Sequence, residues 1–301
     1  MSKKKQFMLS NAERSILHFI WRVKVASTSS IFLRFEADFH WKETTAYKRL
    51  WMLKKKGCLD TRTDKSGSYR AWTLTSKGFE AIQHLLLALR EVGSGTESAT
   101  HDLYVLAAHF GEWISRAAVP DVVFITEQEL RRIDEGQLPK WTRPLVTHKP
   151  DGVWYFPETK EKTLIVLEVE MSRKRNSEYQ ALGAFYSEEK SISAALWLVQ
   201  NKGHANTIRN EFQSATSQFR DIHNFVQLED LKKDGWASQI VAGPNSGMTI
   251  HNFLESMGRN KPRISSEETR KTSYAQRLLN FGICRFISRT SASAPKSSLR
   301  A

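Results

Sequence analysis

THKPDGVWYF, Thr147 to Phe156, and LIVLEVEMSRK, Leu164 to Lys174, are the two stretches whose reading decides the fold. Both are apolar enough for strands buried on their two faces, yet Asp151, Glu168 and Glu170 stand among the apolar residues. A carboxylate in such a strand loses its solvation unless something positive meets it. Side chains alternate along a strand, so Glu168 and Glu170 share a face. With Asp151 on the neighbouring strand, the three acids are expected to converge on one cation. EVE taken alone also describes a half-exposed strand with a polar face, but the preceding LIVL and the matching PD strand argue against that.

Working outward, HDLYVLAAHFGEWIS from His101 has helical periodicity, DVVFIT from Asp121 reads as a strand, and EQELRRI from Glu127 as a polar helix or turn. After the two acidic strands, NSEYQALGAFYSEEK from Asn176 reads as a helix and AALWLV from Ala194 as a strand. NKGHANTIRNEFQSATSQF from Asn201 is helical, and FVQLEDL from Phe225 is expected to add an edge strand. Tyr179 and Tyr186 lie a helical heptad apart, which suits packing.

The N-terminal part has a different pattern. Ser10 and Glu13 in SNAERSILHFIW form a capping box, with Ile16, Leu17, Ile20 and Trp21 on one helical face. STSSIFLRF from Ser27 predicts a short second helix, and KETTAYKRLWMLKKKG from Lys42 a third that stops at Gly57. CLDTRT, the turn DKSG and SYRAWTLT make a hairpin, after which SKGFEAIQHLLLAL resumes helical periodicity. EVGSGTESAT, Glu91 to Thr100, has linker composition. From about Gly258 the chain is basic and Ser-rich, with LLNFGICRFI as its apolar patch. The domains expected are 1–90, a linker 91–100, a second domain 101–240 and a largely disordered basic tail 241–301.

A formal net charge of +13 over 301 residues favours a polyanionic partner, nucleic acid first and an acidic membrane surface second. Cys58 and Cys284 lack the spacing of a disulfide framework or a zinc site, which fits a reducing cytoplasm. MSKKKQFMLSNAERS lacks the apolar core of a signal peptide, and LLLAL at Leu85 is too short to span a bilayer, so no membrane insertion is expected. GSG and AGPNSG lack the lysine and strand context of a phosphate loop.

The order helix, helix, helix, hairpin, helix over Ser10 to Leu89 resembles the winged-helix DNA-binding family, in which LTSKG after the wing strand is a frequent phrase. The resemblance implies that Thr44, Thr45, Lys48 and Arg49 open a recognition helix and that Arg62, Lys65 and Arg70 lie on the wing. The alternatives are a solvated charged face and a protein-contact module.

In the second domain, helix, three strands, helix and strand is the core order of the PD-(D/E)XK restriction endonucleases, and PDG with EVE carries the likeness. It implies an αβββαβ domain with a mixed central sheet, and a magnesium or manganese ion on Asp151, Glu168 and the Val169 carbonyl. Glu170 stands where that family has lysine, and would be a further metal ligand or a general base. Lys174 or His148 would restore positive charge or shuttle a proton, and Glu112 is a further possible ligand. HDL, HKPD and LEVE behind a winged helix resemble, more closely, the MobC-type conjugative relaxases and related replication-relaxation proteins, over Ser10 to Leu231.

The resulting expectation is an α+β chain: a winged helix-turn-helix that finds double-stranded DNA, and a metal-dependent endonuclease of relaxase type that nicks a transfer origin in plasmid mobilisation. Accessory and coupling proteins of mobilisation would be its partners. The alternatives are a noncatalytic DNA-binding regulator of replication or transfer, and an ordinary restriction-type endonuclease.

Overall fold

The computed structural model describes residues 8–63, 70–95, 98–110, 122–156 and 163–258. Lys65, Glu112, Cys284 and the apolar patch of the tail lie outside them.

The first domain runs α1 (Asn11–Val23), β1 (Val25–Ala26), α2 (Thr28–Phe39), α3 (Glu43–Lys55), β2 (Leu59–Thr63), β3 (Arg70–Leu74) and α4 (Ser76–Gln83). The capping box is formed, with Ser10 and Glu13 satisfying each other's backbone N–H groups at the open end of α1. Ser27 caps α2, which extends past STSSIFLRF to Phe39. The strands form an antiparallel sheet in the order β1-β3-β2. Ile16, Leu17, Ile20, Leu50, Leu53 and Trp72 fill the core between this sheet and the helices. This is the winged-helix arrangement, except that α4 ends at Gln83 and leaves the LLLAL run outside the helix.

The joint is packed rather than loose. Leu89 bridges Ile133, the Gly93 carbonyl accepts from Trp21 Nε1 at 3.2 Å and Gln128 Nε2 at 3.3 Å, and Arg132 donates to the Val92 carbonyl at 3.0 Å. Gly/Ser composition gives flexibility only while the backbone polar groups face water, and here buried donors claim them. Leu106, Phe110 and Ile133 of the second domain complete the first domain's core. Arg22 of α1 also reaches across, to Glu129 at 2.8 Å and the Phe124 carbonyl at 3.0 Å.

The second domain contains α5 (Ala99–His109), β4 (Val123–Thr126), α6 (Glu127–Arg132), α7 (Arg143–His148), β5 (Gly152–Tyr155), β6 (Leu164–Glu170), α8 (Asn176–Glu188), β7 (Ala194–Val199), α9 (Lys202–Ala215), β8 (His223–Gln227), α10 (Leu228–Asp234), β9 (Ile240–Ala242) and α11 (Ile250–Gly258). Its six-stranded sheet has the order β4-β5-β6-β7-β8-β9. β7 is parallel to both neighbours, and the other pairings are antiparallel. Leu164 and Val166 point to one face, under the Tyr179, Tyr186, Ile208 and Phe212 side chains of α8 and α9. Ile165, Leu167 and Val169 point to the other, packed with Ala108, Leu231, Trp236, Phe253 and Leu254.

Two expectations about the end of this domain are corrected. β8 is interior, because β9 pairs along its far side, and FVQLEDL bends into α10 after Gln227. Packed structure does not end at residue 240: α11 buries Ile250, Phe253 and Leu254 against the sheet and reaches Gly258. Among the described residues no helix is long and apolar enough to cross a membrane.

Candidate functional site

The site forms where α7, β5, β6 and the start of α8 meet. The sequence reading did not anticipate α7. Lys149, at φ 54, closes this helix in the left-handed region, and Pro150 after it turns the chain into β5. His148 is thereby left at the helix end with its ring stacked on Phe185, centroids 4.4 Å apart.

Each carboxylate meets a different set of donors. Asp151 Oδ2 accepts from the Val169 backbone N–H at 2.7 Å and lies 3.4 Å from His101 Nε2. Glu168 Oε1 lies 2.8 Å from His148 Nε2 and accepts a short bond from the Tyr186 hydroxyl. Lys174 Nζ stands 2.7 Å from the buried Glu170 Oε2, as an ion pair rather than an aligned hydrogen bond. Thus Lys174 and His148, which the acidic motif does not place, both arrive at motif acids.

The Val169 N–H ties Asp151 to β6 at 2.7 Å. This geometry corrects one reading. Glu170 does share a face with Glu168, but its charge is taken up by Lys174. Among the described residues no three His, Cys, Asp or Glu side chains are grouped so as to hold a metal ion. The donor chemistry still fits magnesium or manganese: carboxylate oxygens are hard ligands, and magnesium commonly takes only one or two from the protein and completes its shell with water and phosphate. Asp151 and Glu168 suit that role, and a three-carboxylate cage does not form.

The local charges are consistent with one electrostatic neighbourhood. Burial pushes the Glu170 carboxyl up, and Lys174 offsets this in part. Burial would lower Lys174, but Glu170, Glu168 and Asp151 outweigh it and hold its ammonium above the usual lysine range. Burial and the charges of Glu168 and Asp151 push the Tyr186 hydroxyl well up, so it remains a donor to Glu168. Tyr179 accepts from the Lys174 N–H at 3.0 Å and bonds His204 Nε2 at 3.0 Å. Both tyrosines are buried, as packing requires, but each also holds a site residue. Their heptad spacing was the sequence signal, since it put both hydroxyls on one side of α8. Beside the acids, an open cleft of about 460 Å³ is lined by Thr147, His148, Lys174, Glu178, Leu182 and Phe185, among others.

A second group of contacts lies behind Asp151. His101 touches both Asp102 and Asp151, each at 3.4 Å. Burial opposes its charge, but bonds and charges from Asp102 and Asp151 push its pKa up to about 10. A folded-state pKa raised from 6.5 contributes stability that is complete below about pH 6.5 and is lost as pH rises towards 10. Melting temperature should therefore fall more steeply across that window in the parent than in His101→Gln, and equal slopes would exclude this contribution. Lys24, too, is held above its usual range: burial would lower it, but Asp102, Glu127 and Asp151 raise it.

On the first domain, Thr44 and Lys48 are exposed on α3 and Thr45 is half-buried. Arg49 is also half-buried, with its guanidinium 5.0 Å from the Trp41 ring centroid, so it is a packing cation rather than a free one. Arg62 and Arg70 are exposed on the wing strands. The sequence reading passed over Tyr47 and Met52, exposed on the same helix at 46% and 50%; for Met52 the spacing of four residues from Lys48 was the available signal.

Residues 9–86 match the family model described as penicillinase repressor. No curated protein and no solved structure matches the chain. The family match therefore covers the winged helix and stops before the domain that carries Asp151, Glu168 and Glu170.

Proposed function

We propose that the chain binds duplex DNA through α3 and the wing, and nicks it at a site built around Asp151 and Glu168. The observation that carries this reading is the arrival of Lys174 at Glu170 and of His148 at Glu168, which supplies a cation and an imidazole where the acidic motif alone has neither. Asp151 and Glu168 would hold a magnesium or manganese ion, which, when bound, stabilises negative charge on the phosphate oxygens. Lys174 faces the cleft and offers positive charge to the phosphodiester. His148, donating or accepting through Nε2, is the imidazole that meets Glu168 and would carry a proton there. A relaxase acting on a transfer origin is the form of this activity that best joins a winged helix to such a site. The test is incubation of supercoiled plasmid carrying the native transfer region with the full chain and magnesium or manganese. Open circles formed by the parent but not by Asp151→Asn support it, and a parent that leaves the plasmid supercoiled with either metal overturns it.

A noncatalytic regulator is the second reading, favoured by the penicillinase repressor match and by the partners that Asp151 and Glu168 already have within the chain. Both readings share the DNA contact. Lys48→Ala should weaken duplex binding and flatten the dependence of log affinity on log salt by about one unit, the loss of one phosphate contact. Arg49→Ala should instead lower stability, by about 0.5–2 kcal/mol, through its contact with Trp41. Fluorescence anisotropy across salt and a denaturant titration separate the two. An unchanged salt slope in Lys48→Ala would remove Lys48 from the interface.

A further inference from the structure

We propose that the winged helix contributes to the second domain's site: Lys24, acting through Asp102 and His101, positions the Asp151 carboxylate. That Asp151 takes part in chemistry rests on the proposed function; that it is held from the first domain rests on the contacts alone.

The chain of contacts alternates in charge and crosses the domain joint. Lys24 Nζ lies 3.4 Å from Asp102 Oδ1 and makes a short contact with Glu127 Oε2. Asp102 Oδ1 lies 3.4 Å from His101 Nδ1, and the other ring nitrogen of His101 lies 3.4 Å from Asp151 Oδ2. The Asp151 carbonyl also accepts from the Glu127 N–H at 3.3 Å, so both acids met by Lys24 are tied to the same short segment. A small pocket is lined by Lys24, Asp102, Glu127 and Asp151, among others.

Burial and backbone geometry both indicate that the arrangement is specified. Asp102 is only 4% exposed, so its charge is compensated by protein groups rather than by water, and Lys24 is one of them. Lys24 caps α1 at φ 63, a conformation that a residue with a side chain rarely adopts and that persists where surrounding contacts over-determine it. The strained residue is the one that sends its ammonium across the joint. On Asp151 the final element is visible: the same Oδ2 that faces His101 accepts from the Val169 N–H at 2.7 Å, next to Glu168. The lysine, the buried aspartate and the histidine are positioning residues, because none of them faces the cleft beside the acids.

The Val169 amide reports on Asp151 without metal, DNA or turnover. In amide NMR spectra of the full chain, Asp151→Asn should displace the Val169 resonance. Lys24→Met and Asp102→Asn should displace it in the same direction, and Lys24→Arg should displace it less. Lys54→Met, which removes an ion pair with Asp60 at 3.0 Å within the first domain, should leave it in place. The near-isosteric Asp102→Asn carries the test if Lys24→Met does not fold. A Val169 resonance unmoved by both substitutions, or by Asp151→Asn itself, overturns the proposal. Failure of the parent to nick DNA would overturn the function proposed above while leaving this result readable.

Discussion

Glu168→Gln is expected to reduce nicking of a supercoiled origin plasmid by roughly a hundred- to a thousand-fold, the equivalent of about 2.7–4 kcal/mol of lost transition-state stabilisation. The amide keeps the volume of the carboxylate and can still accept from Tyr186, so the buried helix–strand contact survives. What is lost is the negative charge beside His148, and with it the attraction for a divalent cation. Duplex affinity should be unchanged, because the exposed residues of α3 and the wing lie in the other domain. The measurement is the single-turnover rate of open-circle formation together with anisotropy on the same preparation. A variant that nicks at the parental rate would remove Glu168 from the chemistry, and with it the central residue of the proposed site.

Gly78→Ala should destabilise the first domain by about 3 kcal/mol, the upper part of the usual range for overpacking. A Cβ built at Gly78 would stand 2.0 Å from the Cys58 carbonyl oxygen and 2.8 Å from Leu74 Cδ2. The first of these is backbone, held where Cys58 O accepts from the Thr75 N–H, and cannot swing aside as a side-chain end would. The position has a second duty, since the Gly78 N–H bonds to Thr75 Oγ1 at the N-cap of α4. The phrase LTSKG thus has a physical content: threonine caps the helix, and glycine lets it press against the turn after α3. Because the first domain's core includes Leu106, Phe110 and Ile133, loss of its packing should also lower the melting temperature of the second. Denaturant titration of the full chain measures the effect, and a midpoint equal to the parent's would contradict the contact.

Most of the element order was legible because it depends on local rules; α7, β9 and α11 were not read. Ser10 and Glu13 announce the start of α1, the alternation of LIVLEVE shows a strand with two acids on one face, and the helix–strand succession after it follows from periodicity. Period-two geometry alone placed Glu168 and Glu170 together, and the structure agrees. It could not say which donors would reach them. Lys174 is set by a turn pinned to the Tyr179 hydroxyl, and His148 by a six-residue helix with too few turns to give a period. The composition of Glu91 to Thr100 pointed to a free linker, but whether backbone carbonyls face water or a tryptophan depends on residues far away in sequence, here Trp21, Gln128 and Arg132 for the Val92 and Gly93 carbonyls. The same holds for Asp151. Its place at the start of β5 follows from the sequence around it, whereas its partners come from β6 and from α5, brought within 3.4 Å only by the tertiary fold. Local pattern determines where a carboxylate sits along a strand; the charge that balances it is chosen by packing between elements, which no spacing in the chain records.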